Sequence, residues 1–272
     1  MTKDRFLSST AMILLTILAI INEWAFIAIF FALTIAGLYE FFYLIQKKGI
    51  PIYSYTGILI GVMIPISILV RFEPTKGWEL FFIVLVLIMI FVMQFMRKDN
   101  NNAIVGISTT LFGVLYVSWF FSFLIKIRYL PGVDGMKLLA FIILITKIGD
   151  MGALLIGSKF GKHALFPRVS PNKTIEGSIG SFAFSMIAAF LGRSLLPASL
   201  SFSPVQILMI GAFFGALGQL GDMSQSLIKR DCHVKDSGKM LPALGGVLDS
   251  IDSLLFSAPA FYFFMSSLLK TM

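Results

Sequence analysis

Long apolar stretches, separated by short polar segments, run through almost the whole chain. A helix that spans a bilayer needs about 20 mostly apolar residues, and nine stretches approach or reach that length. Their approximate bounds are 6–21, 24–45, 53–70, 78–96, 103–125, 136–157, 175–196, 204–228 and 248–269. No small-x-small cleavage site follows the first, short stretch, so we interpret it as half of a helical hairpin rather than a signal peptide. The pattern predicts an all-α, polytopic integral membrane protein with about nine transmembrane helices.

The overall composition agrees with that prediction. Hydrophobic residues make up 57% of the 272 residues and charged residues only 13%, against roughly 25% in soluble domains. The single cysteine, Cys232, excludes an intrachain disulfide. The net charge of +8 fits positive cytoplasmic loops and anionic lipid headgroups. We therefore expect the lipid bilayer as a partner, and no nucleic acid.

The distribution of lysine and arginine favours one orientation. With the N-terminus inside, 14 of these residues lie in inner segments and 7 in outer segments. Positive residues concentrate on the cytoplasmic side. We therefore expect a protein of the cytoplasmic (inner) membrane, with the N-terminus and the long loops 158–174 and 229–247 in the cytoplasm.

Acidic residues differ in setting between the two halves of the chain. Residues 1–135 hold seven of the 14 acidic residues, Glu40 among them, and most of the seven are expected at helix ends or in loops that solvent reaches. Several acidic residues in the second half fall inside apolar helices or at their ends, where an ionised group is costly and indicates a functional site. We predict an N-terminal scaffold over 1–135 and a C-terminal catalytic region over 136–272, within one membrane unit.

The densest polar stretch, 218–230, closes the eighth helix. Asp222 and Ser226 are four residues apart and share a helix face. Asp222 precedes Lys229 by seven residues, about 10 Å at 1.5 Å per residue, so it needs a cation, a partner or a wet cavity. Four nearby glycines favour close helix packing, although the approach of a ligand to the backbone is the alternative. They are Gly211, Gly215, Gly218 and Gly221.

The loop that follows carries cations between two sets of carboxylates. Asp249 and Asp252 stand three residues apart at the start of the ninth helix, where capping alone could account for them. Asp222 and Asp249 could also hold Mg²⁺ as hard oxygen ligands. The cations could neutralise a polyphosphate or belong to a solvated loop. They are Lys229, Arg230, Lys235 and Lys239.

A second polar segment lies directly before the N-terminus of the seventh helix. Ser170, Lys173 and Thr174 place hydroxyls, a cation and backbone amides at a helix N-terminus, which is a natural anion site. A plain N-cap by Thr174 is the alternative. His163 and His233 are expected to be surface loop residues rather than ligands.

In order and spacing, these motifs resemble the phosphatidate cytidylyltransferases (CDP-diacylglycerol synthases). The resemblance covers about 150–259 and rests on motifs in three parts of the chain. The first part contains Asp150-x-Gly152-Ala153 and Gly161-Lys162. The second is Ser170-Pro171-x-Lys173-Thr174-x-Glu176-Gly177. The third begins with Gly221-Asp222 and continues with Ser226-x-x-Lys229-Arg230-x4-Lys235-Asp236-Ser237-Gly238, Pro242, Gly245-Gly246 and Asp249-x-x-Asp252. The chain departs from the family where Leu244 replaces a histidine, Ser250 an arginine and Leu154 an aromatic residue.

The resemblance implies that CTP and phosphatidic acid react to give CDP-diacylglycerol and pyrophosphate. It implies Mg²⁺, with a second cation left open, held by Asp222 and Asp249. Lys229, Arg230 and Lys235 would bind phosphates, and Asp236 would orient them or bind substrate. The predicted substrate-binding residues are Asp150, Ser170, Lys173, Thr174, Glu176 and Ser226. A homodimer is implied as well.

Two other functions remain open at this point. Intramembrane acids on glycine-rich helices also occur in cation channels and transporters, although the cationic loops would repel the transported ion. A CTP-dependent polyprenol or phytol kinase would transfer a phosphoryl group instead of a nucleotidyl group.

Overall fold

In a computed structural model of the chain, the described residues are 3–71, 78–98, 100–241 and 245–270. Within them, nine helices follow the nine predicted stretches. They are α1 (Lys3–Ile21), α2 (Glu23–Lys47), α3 (Ser54–Leu69), α4 (Trp78–Phe95), α5 (Ala103–Arg128), α6 (Gly135–Phe160), α7 (Ile175–Leu191), α8 (Pro204–Asp231) and α9 (Val247–Lys270). The predicted all-α, polytopic membrane architecture is confirmed.

Six of these helices are long and apolar enough to cross a membrane. They are α2, α5, α6, α7 with its short 3₁₀ extension to Leu195, α8 and α9. The apolar parts of α1, α3 and α4 are shorter. Large apolar side chains such as Ile179 on α7 and Phe213 on α8 are exposed. A bilayer would cover side chains of this kind.

Two local features depart from simple helices. Residues Val114–Trp119 within α5 are π-helical. The segment before α7, predicted as a loop, contains a small antiparallel hairpin of β1 (Ala164–Phe166) and β2 (Ser170–Thr174). Ala164 pairs with Thr174 and Phe166 pairs with Ser170. The hairpin fixes the register of β2 as the chain enters α7.

The described residues form two compact units. The first comprises the residues up to Ile125 together with Cys232–Ser250, and the second comprises Lys126–Asp231 together with the residues from Ile251 onward. The predicted division at residue 135 concerned the location of the chemistry, and it stays a prediction.

Aromatic rings packed against glycines form the core of the first unit. Phe41 and Phe42 of α2 are each 1% exposed. A Cβ on Gly113 of α5 would lie only 2.6–2.8 Å from their ring carbons. Because real Cβ atoms do not approach so closely, glycine at 113 is required for the two helices to pack at this distance.

Small residues also bring the helices of the second unit close together. A Cβ on Gly211 of α8 would collide with the carbonyl oxygen of Ser185 in α7, and a Cβ on Gly215 would collide with the Ser185 hydroxyl. One on Gly221 would collide with the carbonyl oxygen of Asp252 in α9. Close helix packing is therefore confirmed at these three positions. At Gly218 the nearest atoms are 3.6 Å away, an ordinary contact.

Candidate active site

A cavity of about 300 Å³ opens in the second unit, beside the predicted polar segments. Four of the predicted site residues line it. They are Asp150 of α6, Lys173 and Thr174 of β2, and Asp222 of α8. Gly157, Asn172, Ser178 and Gln219 also contribute to the wall. The cavity has both charged and apolar walls, with Leu154, Leu165 and Met223 forming part of the apolar surface.

An ion pair joins two predicted residues at this cavity. The Lys173 Nζ lies 2.7 Å from the Asp222 Oδ2, and their side chains are 26% and 39% exposed. The same Nζ is 3.5 Å from the Ser226 hydroxyl. Asp222 was expected to require a cation or a partner, and Lys173 supplies one. An arriving phosphate would be attracted to Lys173, and an arriving metal to Asp222.

A second polar cluster contains Lys147 and Ser253, neither of which was predicted for the site. Lys147 Nζ lies 3.2 Å from Asp150 Oδ2 and donates to the Ser253 hydroxyl at 2.8 Å. That hydroxyl in turn donates to Asp150 Oδ2 at 2.9 Å. Asp252, which precedes Ser253 in α9 and was also absent from the predicted site, is buried. A lysine inside an apolar helix was the sequence signal for this cluster.

Two predicted substrate-binding residues make contacts that shape the chain locally. Thr174 caps α7, its hydroxyl accepting from the Gly177 N–H at 3.1 Å, as the capping alternative proposed. Glu176 accepts from the backbone N–H groups of Lys162 and His163 at 3.1 and 3.3 Å, and pairs with the exposed His163 ring at 2.6 Å. Contact of either residue with substrate stays a prediction.

Another contact connects the end of α8 to the β-hairpin. The Arg230 Nε donates to the Val169 carbonyl at 3.3 Å, directly before Ser170 begins β2. Lys229 shares the last turn of α8 with Arg230. The C-terminal turn of α8 therefore places Arg230 next to the strand that carries Lys173.

Asp249 lies in the first unit, in the first turn of α9. Its Oδ2 accepts from the Ser237 N–H and hydroxyl, both at 2.9 Å, and from the Gly246 N–H at 3.0 Å. Lys235 and Asp236, in the preceding loop, are exposed. Leu244, one of the departures from the family signature, lies outside the described residues.

Four further residues were absent from the predicted site. Ser178 and Gln219 form a pair across the cavity wall, with the hydroxyl donating to the amide oxygen at 2.5 Å. Gln219 belongs to the polar stretch at 218–230 and lies three residues before Asp222, on the same helix face. The sequence spacing could therefore have indicated that Gln219 belongs to the site. Glu40 and Ser237 contact each other in the first unit.

The carboxylates fit a hard divalent cation. Among the described residues, no three His, Cys, Asp or Glu side chains lie close enough together to hold a metal by themselves. Mg²⁺ does not require such a group, because it is usually bound by one or two carboxylates together with substrate phosphates and water. Asp222 and Asp249 each offer oxygen ligands of this kind, and their roles as metal ligands stay predictions.

Comparison with known proteins identifies the family. The model of the cytidylyltransferase family matches residues 3–268, almost the whole chain. The chain belongs to the cytidylyltransferase family.

Individual relatives match over similar lengths. The phosphatidate cytidylyltransferase of Bacillus subtilis (strain 168) is 29% identical over 265 residues, covering 97% of both chains. The phosphatidate cytidylyltransferase of Thermotoga maritima is 31% identical and covers 96% of this chain and 94% of its own. The uncharacterized protein YnbB of Escherichia coli (strain K12) is 31% identical over 89% of this chain and 80% of its own length. The resemblance noted in the sequence is thereby confirmed.

Proposed function

We propose that this protein transfers the cytidylyl group of CTP to phosphatidic acid, giving CDP-diacylglycerol and pyrophosphate. The observation that carries the proposal is the cavity that brings Lys173, Asp222 and Asp150 together in a chain of the cytidylyltransferase family. The names of the Bacillus and Thermotoga relatives support phosphatidate as the acceptor.

The chemistry requires positioning and neutralisation of charge more than it requires a strong base. A phosphate oxygen of phosphatidic acid attacks the α-phosphorus of CTP, and the bond between this phosphorus and the oxygen bridging to the β-phosphorus breaks. Pyrophosphate departs with that bonding electron pair. The attacking phosphate is already anionic near neutral pH, so catalysis rests on orientation and charge stabilisation.

Each charged group has a role suited to this reaction. Lys173 binds a substrate phosphate or the departing pyrophosphate, exchanging its contact with Asp222 for one with phosphate. Lys229, Arg230 and Lys235 bind the remaining phosphates. Asp222 and Asp249 are proposed as the ligands that would hold Mg²⁺. When bound, the metal would supply Lewis-acid stabilisation of negative charge on phosphate oxygens.

The location of the substrates fits a site at the cytoplasmic lip of the membrane. The lipid enters from the bilayer and CTP enters from the cytoplasm. Leu154 and Met223 line the cavity near Asp222, so apolar and charged surfaces meet there. A homodimer in the inner membrane, with the catalytic loops in the cytoplasm, completes the proposal.

Product analysis with the purified protein tests the reaction. CTP labelled at the α-phosphorus should give a labelled CDP-lipid, and an equal amount of pyrophosphate should be released. Transfer of the γ-phosphoryl group of CTP to a lipid alcohol, with release of CDP, would identify a kinase instead. Absence of turnover from folded protein supplied with Mg²⁺ and both substrates would contradict the proposal.

A further inference from the structure

Glu40 of α2 is a buried carboxylate in the region predicted to be a scaffold. The residue is 2% exposed, unlike the acidic residues of that region that were expected to meet solvent. A buried carboxylate is stable only when other groups donate hydrogen bonds to it or balance its charge. Its hydrogen-bond partners therefore indicate what it does.

The first partners of Glu40 are backbone groups at the start of α9. Oε1 accepts from the Val247 N–H at 3.0 Å, and Oε2 accepts from the Leu248 N–H at 2.9 Å. The first N–H groups of a helix have no acceptor within the helix, and the helix dipole attracts a negative charge there. Glu40 thus acts as an N-terminal cap supplied by a residue more than 200 positions away in sequence.

Ser237 connects this cap to Asp249. The Ser237 hydroxyl lies 3.2 Å from Glu40 Oε2 and 2.9 Å from Asp249 Oδ2. Because a hydroxyl has one proton, it donates to one carboxylate at a time. The backbone N–H of Ser237 donates to Asp249 Oδ2 at 2.9 Å. The segment that Glu40 holds is therefore also the segment that orients Asp249.

Two glycines make room for this carboxylate. A Cβ on Gly238 would overlap Glu40 Oε1, and a Cβ on Gly246 would overlap Glu40 Oε2 and the Ser237 hydroxyl. Such contacts are closer than real Cβ atoms allow. Any larger residue at 238 or 246 would displace the carboxylate from its place between the loop and the helix.

We infer that Glu40 is a positioning residue, which orients Asp249 by holding the segment around Ser237 and the first turn of α9. The role given to Asp249 rests on the proposed function, whereas the arrangement that Glu40 maintains can be tested without turnover. Glu40→Gln keeps the size of the side chain but places an NH₂ group against a backbone N–H. It therefore removes at least one hydrogen bond to a charged group.

The first measurement uses Cys232, the single cysteine of the chain, as a reporter in metal-free protein. Cys232 lies five residues before Ser237 and is 7% exposed. Loosening of this segment by Glu40→Gln should raise the rate of Cys232 modification by a water-soluble maleimide about tenfold. Glu23→Gln, a control in the first turn of the same helix, should leave the rate unchanged. An unchanged rate in folded Glu40→Gln would overturn the inference.

The second measurement is the dependence of activity on Mg²⁺. Glu40→Gln should raise the Mg²⁺ concentration for half-maximal activity about tenfold, while the KM for phosphatidic acid stays within about twofold. Ser237→Ala removes the hydroxyl between Glu40 and Asp249 but keeps Glu40. It should shift the Mg²⁺ dependence in the same direction, and it replaces Glu40→Gln as the test if that variant does not fold. A loss of folded protein with normal Mg²⁺ dependence would show a merely structural role and overturn the inference. If the wild type does not use CTP, the proposed function fails while the maleimide measurement still decides the role of Glu40.

Discussion

The charge on Asp222 is balanced by Lys173, whereas Asp249 is held by three neutral hydrogen-bond donors. The Lys173–Asp222 pair is partly exposed, so its geometry can change at little cost when a ligand arrives. The three donors around Asp249 fix the direction of its carboxylate instead. The two carboxylates therefore differ in how much each can move during a catalytic cycle.

Neutralising either carboxylate should abolish turnover. Asn at 222 or 249 keeps the size of the side chain and an acceptor oxygen, but it removes the negative charge that would hold Mg²⁺. We expect kcat to fall at least about a hundredfold in each variant, since a charged metal ligand contributes several kcal/mol. Pyrophosphate release by folded, purified variants measures this.

Asp134→Asn is the matched control, because Asp134 caps α6 far from the proposed site residues in the sequence, asparagine is an equally good cap, and its exposed ion pair with Lys137 contributes little. Near-normal turnover in folded Asp222→Asn or Asp249→Asn would remove that residue from the proposed site.

Ser250→Arg should raise kcat/KM for CTP. Ser250 follows Asp249 in the first turn of α9, and its hydroxyl interacts locally with the Gly246 carbonyl at 3.4 Å. An arginine there would add a bidentate phosphate ligand, so we expect a rise of roughly three- to tenfold, measured as pyrophosphate release against CTP concentration. Leu244→His should change little, since the phosphate nucleophile needs no general base. An unchanged or lower kcat/KM in Ser250→Arg would refute the argument.

Sequence spacing predicted some contacts at this scale better than others. Thr174 and Asp222 were recognised because a helix cap and an intramembrane acid produce local patterns. Glu40 was not recognised, because its partners Val247 and Leu248 are more than 200 positions away. No local pattern in α2 distinguishes a buried acid with distant partners from one that meets solvent.

At the scale of one element, α6 carries two lysine–aspartate pairs in different environments. Lys147 contacts both Asp150 and Ser253 within the apolar part of the helix. Lys137 pairs with Asp134 at 3.4 Å near the helix start, where both side chains are about half exposed. The two pairs allow a comparison, along one helix, of an ion pair in the apolar part, with side chains 38% and 35% exposed, and a more exposed pair at the helix start.

Lys147→Met should destabilise the protein more than Lys137→Met does. The first change removes the hydrogen bonds that Lys147 donates to Asp150 and Ser253. Each is worth at most roughly 1.5–3 kcal/mol, and less here because the Lys147 and Asp150 side chains are 38% and 35% exposed. An exposed pair contributes about 0–1 kcal/mol. Thermal unfolding in detergent should show a clearly lower Tm for Lys147→Met alone. Equal Tm values for the two variants would contradict the structural role of Lys147.

Helix positions were predictable, and departures from helices were not. Apolar stretches near 20 residues mark α2 and α5–α9 clearly, and polar segments mark their ends. The β-hairpin was missed, because Ser170–Thr174 is a short segment with a proline and no apolar alternation. The π-helical turn at Val114–Trp119 has no compositional signature either.

At the scale of the whole molecule, orientation in the membrane can be tested by cysteine labelling. On a Cys232→Ser background, Lys162→Cys and Lys239→Cys place thiols at exposed positions in the two long loops. Because Ser237 is buried, it is unsuitable for this purpose. An impermeant maleimide should label neither position in intact cells and both after permeabilisation.

Ser199→Cys, exposed in the short segment between α7 and α8, is the opposite control and should react in intact cells. Labelling of Lys162→Cys or Lys239→Cys from outside would overturn the predicted orientation, which rests on the distribution of lysine and arginine alone. Composition predicted that the chain lies in a membrane, but the charge bias expresses only a preference for one of two orientations.

The short apolar helices have a consequence for the surrounding lipid. At about 1.5 Å per residue, the 16 residues of α3 (Ser54–Leu69) rise about 24 Å, less than the roughly 30 Å thickness of a typical hydrocarbon core. If so short a segment crosses, it does so by local thinning of the membrane, by snorkelling of its flanking residues or by oligomerisation. This hydrophobic mismatch favours short acyl chains next to the N-terminal helices. Activity in vesicles of 14-carbon lipids should therefore exceed activity in vesicles of 20-carbon lipids, and the opposite order would exclude thinning as a factor in the local environment of this protein.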